Sequence, residues 1–198
     1  MAATLQPLAN ETSSVLGLLQ ECENVEAQYP SLEMLPPSER AQLNAITLAC
    51  LIALGRVSEA RLLWSSLQGQ TAKSELGALW ALARAVAAGS GARDAVYRAA
   101  AAHSWTPVVA SVVARLVDDT RRAALVTLGN AYEELPSAVA ATQLGLSEPQ
   151  AVQALTQAGW TKGAAAGVFN RPSAKKSLNT IQDPQALFTE HILHLEKF

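Results

Sequence analysis

Three histidines, two cysteines and a scatter of carboxylates are the residues that could carry out chemistry in this chain. His191 and His194 stand three residues apart, beside Glu190. Zinc-binding helices of the HExxH type space their histidines by four residues, and a zinc site needs a third protein ligand, which the neighbouring sequence does not offer. We therefore predict that no metal and no other cofactor is bound, and that these histidines form the polar edge of an amphipathic helix.

The remaining candidates for catalysis also fit structural roles. The glycine-containing stretches GSG (89–91) and GAAAG (163–167) lack the Lys-Ser/Thr pair that ends a phosphate-binding loop. Asp118 and Asp119 lie within helical reach of basic side chains, so ion pairs along one helix are expected rather than acid–base catalysis. The basic residues in question are Arg115, Arg121 and Arg122. The sequence predicts no catalytic residue, and we expect that the protein is not an enzyme.

The composition is that of a weakly acidic protein with a large apolar interior. Of its 198 residues, 49% are apolar and only 16% are charged, and the formal net charge is −2. This balance provides no general electrostatic attraction to nucleic acid or to anionic membranes. So few charges also indicate that much of the surface is buried within the chain or covered by partner proteins.

No segment of the sequence has the features of a membrane or export signal. The N-terminal MAATLQPLANETSS has neither a basic segment nor an apolar one of the kind found in signal peptides. The longest apolar stretch, 45–54, is shorter than the roughly 20 residues of a membrane-spanning helix. Cys22 and Cys50 both fall in helical patterns, where free buried thiols are the common state in a reducing compartment. We expect a soluble intracellular protein without membrane contact.

Helical periodicity runs through most of the chain and predicts a mainly α fold, an α-solenoid of antiparallel helix pairs followed by a winged helix. Ser38, Ser58 and Ser74 are placed to cap the starts of three helices. The helix after Ser38 is apolar almost all round, which is typical of a helix packed between others. The predicted divisions are a disordered N-terminus (1–12), a helical-repeat region (13–104), a core with the winged helix (105–172), a linker (173–183) and a C-terminal helix (184–198).

The stretch VAATQLGLSEPQAVQALTQAGW, residues 139–160, has the outline of a helix-turn-helix. Gly145 is suited to the positive φ that often ends a helix. Ser147 and Gln150 then form a capping box at the start of the second helix. The predicted apolar face of that second helix consists of Val152, Leu155 and Ala158.

A short hairpin is predicted after the second helix and completes a winged helix. Trp160 is expected to pack under the sheet of this hairpin, and TKGAAAGVFNRP (161–172) would hold Val168 and Phe169 inward. A DNA-binding winged-helix regulator is an alternative function. Residues 148–159 contain no lysine or arginine, however, and a recognition helix without cations has nothing to hold it on the phosphate backbone.

Residues 184–198 predict a short amphipathic helix. A helix of this length is marginal on its own in water, so it must dock against another element. Phe188, Ile192 and Leu195 step by four and three residues, as in a coiled-coil seam. The apolar stripe is broadened by Leu187, Leu193 and Phe198.

Five stretches of the sequence together resemble one protein family. They are SEARLLW (58–64), SELGALW (74–80), HSWTPVVASVVARLVDDTRRAALVTLGNAY (103–132), LSEPQAVQALTQAGW (146–160) and the ending HILHLEKF. An α-solenoid that runs into a winged helix resembles the PCI-domain family of the proteasome lid, the COP9 signalosome and translation initiation factor three. Within it, these stretches look most like the eighth-subunit family of the signalosome, over about residues 43–160 and the tail.

The resemblance implies a structural scaffold role in the nucleus and the cytoplasm. The signalosome removes a ubiquitin-like modifier from the cullins of cullin-RING ubiquitin ligases, and its catalytic zinc lies in a different subunit. In this family the winged helices of PCI subunits line up sheet to sheet, and the C-terminal helices gather in one bundle. The partner-binding residues implied here are Val168 and Phe169 in the wing and Leu187, Phe188, Ile192, Leu195 and Phe198 in the tail.

Within the same class, a small PCI subunit of the proteasome lid or of initiation factor three is the nearest alternative. The stretches SEARLLW (58–64) and SELGALW (74–80), which both end in tryptophan, argue against it. No nucleic-acid partner is implied by the resemblance.

Overall fold

The structure, a computed structural model, describes residues 14–29, 35–67, 74–163 and 165–171. The predicted disordered N-terminus (1–12), the linker (173–183) and the C-terminal helix (184–198) lie outside the described residues, and so do His191, His194 and the predicted tail contacts Leu187, Phe188, Ile192, Leu195 and Phe198.

The described part of the chain is mainly helical, as predicted. It contains eight α-helices, one 3₁₀ turn and three short strands. The helices are α1 (Val15–Gln28), α2 (Pro37–Ala53), α3 (Val57–Ser66), α4 (Glu75–Ala87), α5 (Arg93–Ala101), α6 (Pro107–Ala131), α7 (Ser137–Leu144) and α8 (Glu148–Gln157). The 3₁₀ turn is Ser90–Ala92, and the strands are β1 (Glu134–Pro136), β2 (Thr161–Lys162) and β3 (Val168–Asn170).

The starts of the helices show which cap predictions were right. Ser74 caps α4 as predicted, because its hydroxyl oxygen accepts a hydrogen bond from the Gly77 amide at 3.2 Å. The predictions for Ser38 and Ser58 were wrong, since α2 begins at Pro37 and α3 begins at Val57, one residue before each serine. Proline at the first helical position has the helical φ already set and removes one amide that the helix would leave unpaired, and α2 starts without a side-chain cap.

Helix α2 lies at the centre of the helical region. Every residue from Leu43 to Ile52 is buried, and the helix contacts α1, α3, α4 and α6. This confirms the prediction that it packs between other helices. Cys22 of α1 and Cys50 of α2 are fully buried free thiols in this core, also as predicted. Because burial disfavours the thiolate, it raises the pKa of Cys22 to about 11 and that of Cys50 to about 12.

Helix α6 connects two separate apolar clusters. Its first half contributes Val109 and Val113 to the cluster built by α1 to α5, which we call the helical core. Its second half contributes Ala124 and Leu128 to a smaller cluster with Leu135, Trp160 and Phe169, which we call the wing core. The helix is continuous between them. The predicted ion pairs are present along it, with Asp118–Arg121 at 3.3 Å and Asp119–Arg122 at 2.7 Å.

The wing core is covered by a three-stranded antiparallel sheet of order β1-β3-β2. β3 pairs on one side with β1, where Leu135 lies opposite Phe169, and on the other with β2, where Lys162 lies opposite Phe169. Trp160 is 5% exposed and packs in this core, as predicted. Two helices followed by a small hairpin, with a third strand supplied from before them, form a winged helix.

Candidate protein-interaction site

The helix-turn-helix is set by local sequence signals. Gly145 ends α7 with φ 59° and ψ 40°, the left-handed conformation that glycine adopts without strain. Gln150 Oε1 accepts hydrogen bonds from the Ser147 amide at 3.2 Å and from its hydroxyl at 2.8 Å, within a capping box that starts α8. Both features agree with the predictions made for these residues.

The buried face of α8 differs in part from the predicted one. Ala151 and Leu155, four residues apart, are fully buried, and Val152 is half-buried beside them. Ala158 is exposed, so its place in the predicted face was wrong. The physical reason is that α8 ends at Gln157, and Ala158 already belongs to the turn that leads into β2.

The exposed face of α8 is polar but carries no positive charge. Its exposed residues are Glu148, Pro149, Gln150, Gln153, Thr156 and Gln157. Glu148 occupies the first turn, where the helix dipole would otherwise favour a phosphate. The face therefore lacks the electrostatic features of a DNA-reading helix and is better suited to contact with protein.

Ser137 and Glu148 together connect three elements of the winged helix. Oε1 of Glu148 accepts a hydrogen bond from the hydroxyl of Ser137 at 2.6 Å, and Ser137 is 4% exposed at the start of α7. The amide of Ser137 donates to the carbonyl of Gly167 in the wing at 2.7 Å. The first turns of α7 and α8 and the β2–β3 connection are thus fixed relative to one another.

A groove of about 750 Å³ lies between α8 and the wing, and we call it the wing groove. It is lined by Ser137, Glu148, Pro149, Val152, Lys162, Gly163, Ala165, Ala166, Gly167, Val168 and Phe169. Most of these residues are small or apolar, while Glu148 and Lys162 supply one charge of each sign. A concave, mainly apolar surface with a few charged groups is suited to an apolar side chain or a short segment of a partner.

The two wing residues predicted to bind partners lie side by side on β3 but differ in exposure. Val168 is half-buried, and Phe169 is 3% exposed and packed in the wing core. Both line the wing groove, but Val168 has the accessible surface that a partner could contact. Partner binding at these two positions stays a prediction, as does binding through the tail residues.

A second set of contacts joins the winged helix to the helical region, and no pattern in the sequence predicted it. Tyr97 of α5 donates a hydrogen bond from its hydroxyl to the carbonyl of Gln143 at 3.3 Å. Arg121 of α6 donates from Nε to the carbonyl of Leu144 at 3.2 Å, and its guanidinium lies 5.6 Å from the centre of the Tyr97 ring. Burial raises the pKa of Tyr97, against smaller lowering effects of Arg121 and Arg93.

Gly145 is the point of closest approach in this joint. A Cβ at this position would lie 2.3 Å from Cδ2 of Tyr97, far inside van der Waals contact. Glycine is therefore favoured at this position for two reasons: it adopts the positive φ of the turn without strain, and it leaves room for the tyrosine ring. Only the first of these requirements is visible in the local sequence.

Within the described residues, no group of three or more histidine, cysteine, aspartate or glutamate side chains is placed to hold a metal ion. His103, the histidine that lies in this part, packs edge-on against Trp105 with ring centres 5.0 Å apart. No helix in the described ranges is both long and apolar enough to cross a membrane.

Comparison with known proteins identifies the family of this chain. The model of the CSN8/PSMD8/EIF3K family matches residues 39–178, which is more than half of the chain and runs from the first turn of α2 through α8 and the wing. The chain belongs to this family.

Two members of this family can be compared with the chain directly. COP9 signalosome complex subunit 8 of Xenopus tropicalis is 27% identical over 196 residues, covering 96% of this chain and 97% of the relative. COP9 signalosome complex subunit 8 of Danio rerio is 27% identical over 144 residues, covering 70% and 73% respectively. The first comparison covers nearly the whole of both chains, so the similarity is not limited to the winged helix.

Proposed function

We propose that this protein is a non-catalytic structural subunit of a COP9 signalosome complex. The observation that carries the proposal is similarity to a signalosome subunit along nearly the whole length of both chains. A shared helical domain alone would also fit the proteasome-lid and initiation-factor branches of the family. Similarity along nearly the whole length of both chains favours the signalosome branch.

In this proposal the winged helix contacts other PCI-domain subunits. The wing groove supports this role because it combines accessible apolar surface at Val152 and Val168 with Glu148 and Lys162 as charged groups that can orient a partner. The face of α8 beside it is polar without cations, which suits a protein partner and not a phosphate backbone.

The tail supplies the second contact. Residues 184–198 join a helical bundle with the C-terminal helices of other subunits, through the seam of Phe188, Ile192 and Leu195 with Leu187 and Phe198 at its sides. A heptad-like apolar stripe on a short helix is typical of a segment stabilised by a partner and not by its own residues.

The proposed biological role is support of cullin deneddylation in the nucleus and the cytoplasm, with the metal-dependent chemistry in another subunit of the complex. No side chain of this chain takes part in that chemistry in the proposal. Its contribution is to hold neighbouring subunits in place.

Affinity purification from native extract, followed by mass spectrometry, tests the proposal. We expect a cohort of PCI-domain proteins that includes a metalloprotease-like subunit. Recovery with the proteasome base, with ribosomal initiation factors or with chromatin in a nuclease-sensitive manner would contradict it.

A gel-shift assay with duplex DNA is the complementary test. Because the second helix of the helix-turn-helix carries no cation, binding should be weak and unselective even at low salt. Sequence-selective binding at submicromolar concentration would replace the scaffold role with a DNA-binding one.

A further inference from the structure

Helices α3 and α4 present an aromatic surface that the winged-helix contacts do not use. Trp64 and Trp80 stack face to face, with ring centres 5.6 Å apart and planes inclined by 7°. Both rings are half-buried, so each packs on the helical core while part of it stays in contact with solvent. Two large aromatic side chains in this state are costly to leave in water and are common anchors in protein interfaces.

An arginine lies one helical turn from each tryptophan, on the same side of its helix. Arg61 precedes Trp64 by three residues, and Arg84 follows Trp80 by four. We call these four residues the Trp–Arg patch. Both arginines are exposed, and neither makes a hydrogen bond, an ion pair or a ring contact with another residue of the described ranges.

Most other arginines of the described ranges have a side-chain partner, unlike the two arginines of the patch. Arg56, Arg98, Arg121 and Arg122 each pair with a carboxylate three or four residues away. The carboxylates closest to the patch in sequence are already engaged: Glu59 accepts from Arg56 at 2.6 Å, and Glu75 accepts from the Thr106 amide at 2.7 Å. The patch therefore combines apolar ring surface with two guanidinium groups that have their donors available.

We propose that the Trp–Arg patch docks an acidic segment of a partner protein that carries an aromatic side chain close to its carboxylates. Each guanidinium can hold one carboxylate through two parallel hydrogen bonds. The ring of the partner residue covers the exposed parts of Trp64 and Trp80 and removes them from water. This surface is separate from the wing groove and the tail, and the proposal holds whether or not the complex is a signalosome.

The charge of the chain and of the patch favours an acidic protein segment over nucleic acid as the ligand. Single-stranded nucleic acid also stacks on aromatic rings, but it needs a basic groove that follows its backbone. This chain has a net charge of −2, and two arginines do not make such a groove. A protein segment with two local carboxylates matches the patch in both the number and the sign of its charges.

The test uses the full-length chain and a synthetic peptide of sequence EDFPED with blocked ends. Binding is followed by NMR through the indole N–H signals of the four tryptophans, of which Trp64 and Trp80 are expected to shift. The variant R61E/R84E should weaken binding at least about tenfold, because each charge-assisted pair becomes a repulsion. The control R98E/R122E changes the net charge equally, at exposed arginines elsewhere, and should bind nearly as tightly as the unaltered chain.

Arg61 and Arg84 are exposed and make no ion pair within the described ranges, so the melting temperature of R61E/R84E should match that of the unaltered chain. The control loses the exposed pairs Arg98–Asp94 and Arg122–Asp119, so its melting temperature should fall slightly. Rescue by R61K/R84K should be partial, since lysine keeps the charge and loses the paired geometry. The proposal is overturned if the peptide shows no saturable binding, or if R98E/R122E weakens it as much as R61E/R84E. It is also overturned if an oligo-dT strand or a second copy of the chain occupies the patch in preference to the peptide.

Discussion

The helical core and the wing core are built in different ways. The helical core is dominated by long aliphatic side chains from six helices, and α2 buries both of its faces in it. The wing core is small and contains several alanines, so its shape depends on one tryptophan and on polar contacts at its edges. Ser137–Glu148, Tyr97–Gln143 and Arg121–Leu144 are contacts of this kind. The helical core is thus stabilised mainly by the amount of apolar surface it buries. The wing core depends more on the geometry of a few packing and hydrogen-bond contacts.

The largest effect that separates the two regions is expected from Trp160→Ala. The substitution removes the largest side chain of the wing core, which is 5% exposed, and leaves a cavity that small neighbours cannot fill. We expect a loss of about 3–5 kcal/mol in unfolding free energy, measured by denaturant titration. Val126→Ala, at a 65% exposed site on the same half of the protein, is the control and should change little. An unchanged stability of Trp160→Ala would place the tryptophan on an interface instead of in a core.

Gly145→Ala tests the joint between the two regions. The new Cβ would meet the Tyr97 ring at 2.3 Å and would also hold alanine at positive φ, so we expect a loss of about 2–3 kcal/mol. Gly55→Ala is matched to it, because Gly55 has φ 72° but open space around its Cα. That variant should lose only about 1 kcal/mol from backbone strain. Equal losses for the two variants would show that the tyrosine does not pack against the turn.

A rise in pH is expected to have a smaller effect on the free energy of unfolding, and the effect originates in the two buried thiols of the helical core. Burial raises the folded-state pKa of Cys22 to about 11 and of Cys50 to about 12, against an ordinary value of 9.0. The two thiols contribute their full share to the free energy of unfolding below pH 9, where they are protonated in both the folded and the unfolded chain. Above pH 9 the thiols of the unfolded chain lose their protons first, so this contribution is lost as the pH rises toward the folded-state pKa values. We expect a decrease of about 1 kcal/mol per thiol between pH 9 and 10 in urea titrations. Cys50→Ala should halve this slope, and an unaltered slope would mean that other groups cause it.

The features that were predictable from sequence are those set by neighbouring residues. Gly145, Ser147 and Pro149 define the helix-turn-helix because turn geometry and capping are local, and the burial of Leu43 to Ile52 follows from an unbroken apolar pattern. The contact of Tyr97 with Gly145 could not be predicted, since the two residues are brought together only by the packing of α5 on α7.

Other features that the sequence did not predict have either a tertiary or a local cause. The stacking of Trp64 on Trp80 depends on how α3 and α4 cross, and a single sequence does not report that crossing. Ser38 and Ser58 are good capping residues by type, but Pro37 and Val57 already occupy the first helical positions. In the candidate site, the hairpin pattern predicted the strand that carries Val168 and Phe169. The wing groove could not be predicted, because it depends on the placement of α8 against the wing.

Deletion of residues 184–198 tests most directly whether this chain is an assembly subunit. If the tail helix belongs to a bundle formed with other subunits, removing it takes nothing from the helical core or the wing core. The melting temperature of the isolated chain should then stay within about 2 °C, which corresponds to less than roughly 1 kcal/mol for a protein of this size. Recovery of PCI-domain partners, quantified by mass spectrometry against the full-length chain, should fall sharply. A large drop in melting temperature together with normal recovery of partners would contradict the account, because it would mean that the tail packs on its own domain.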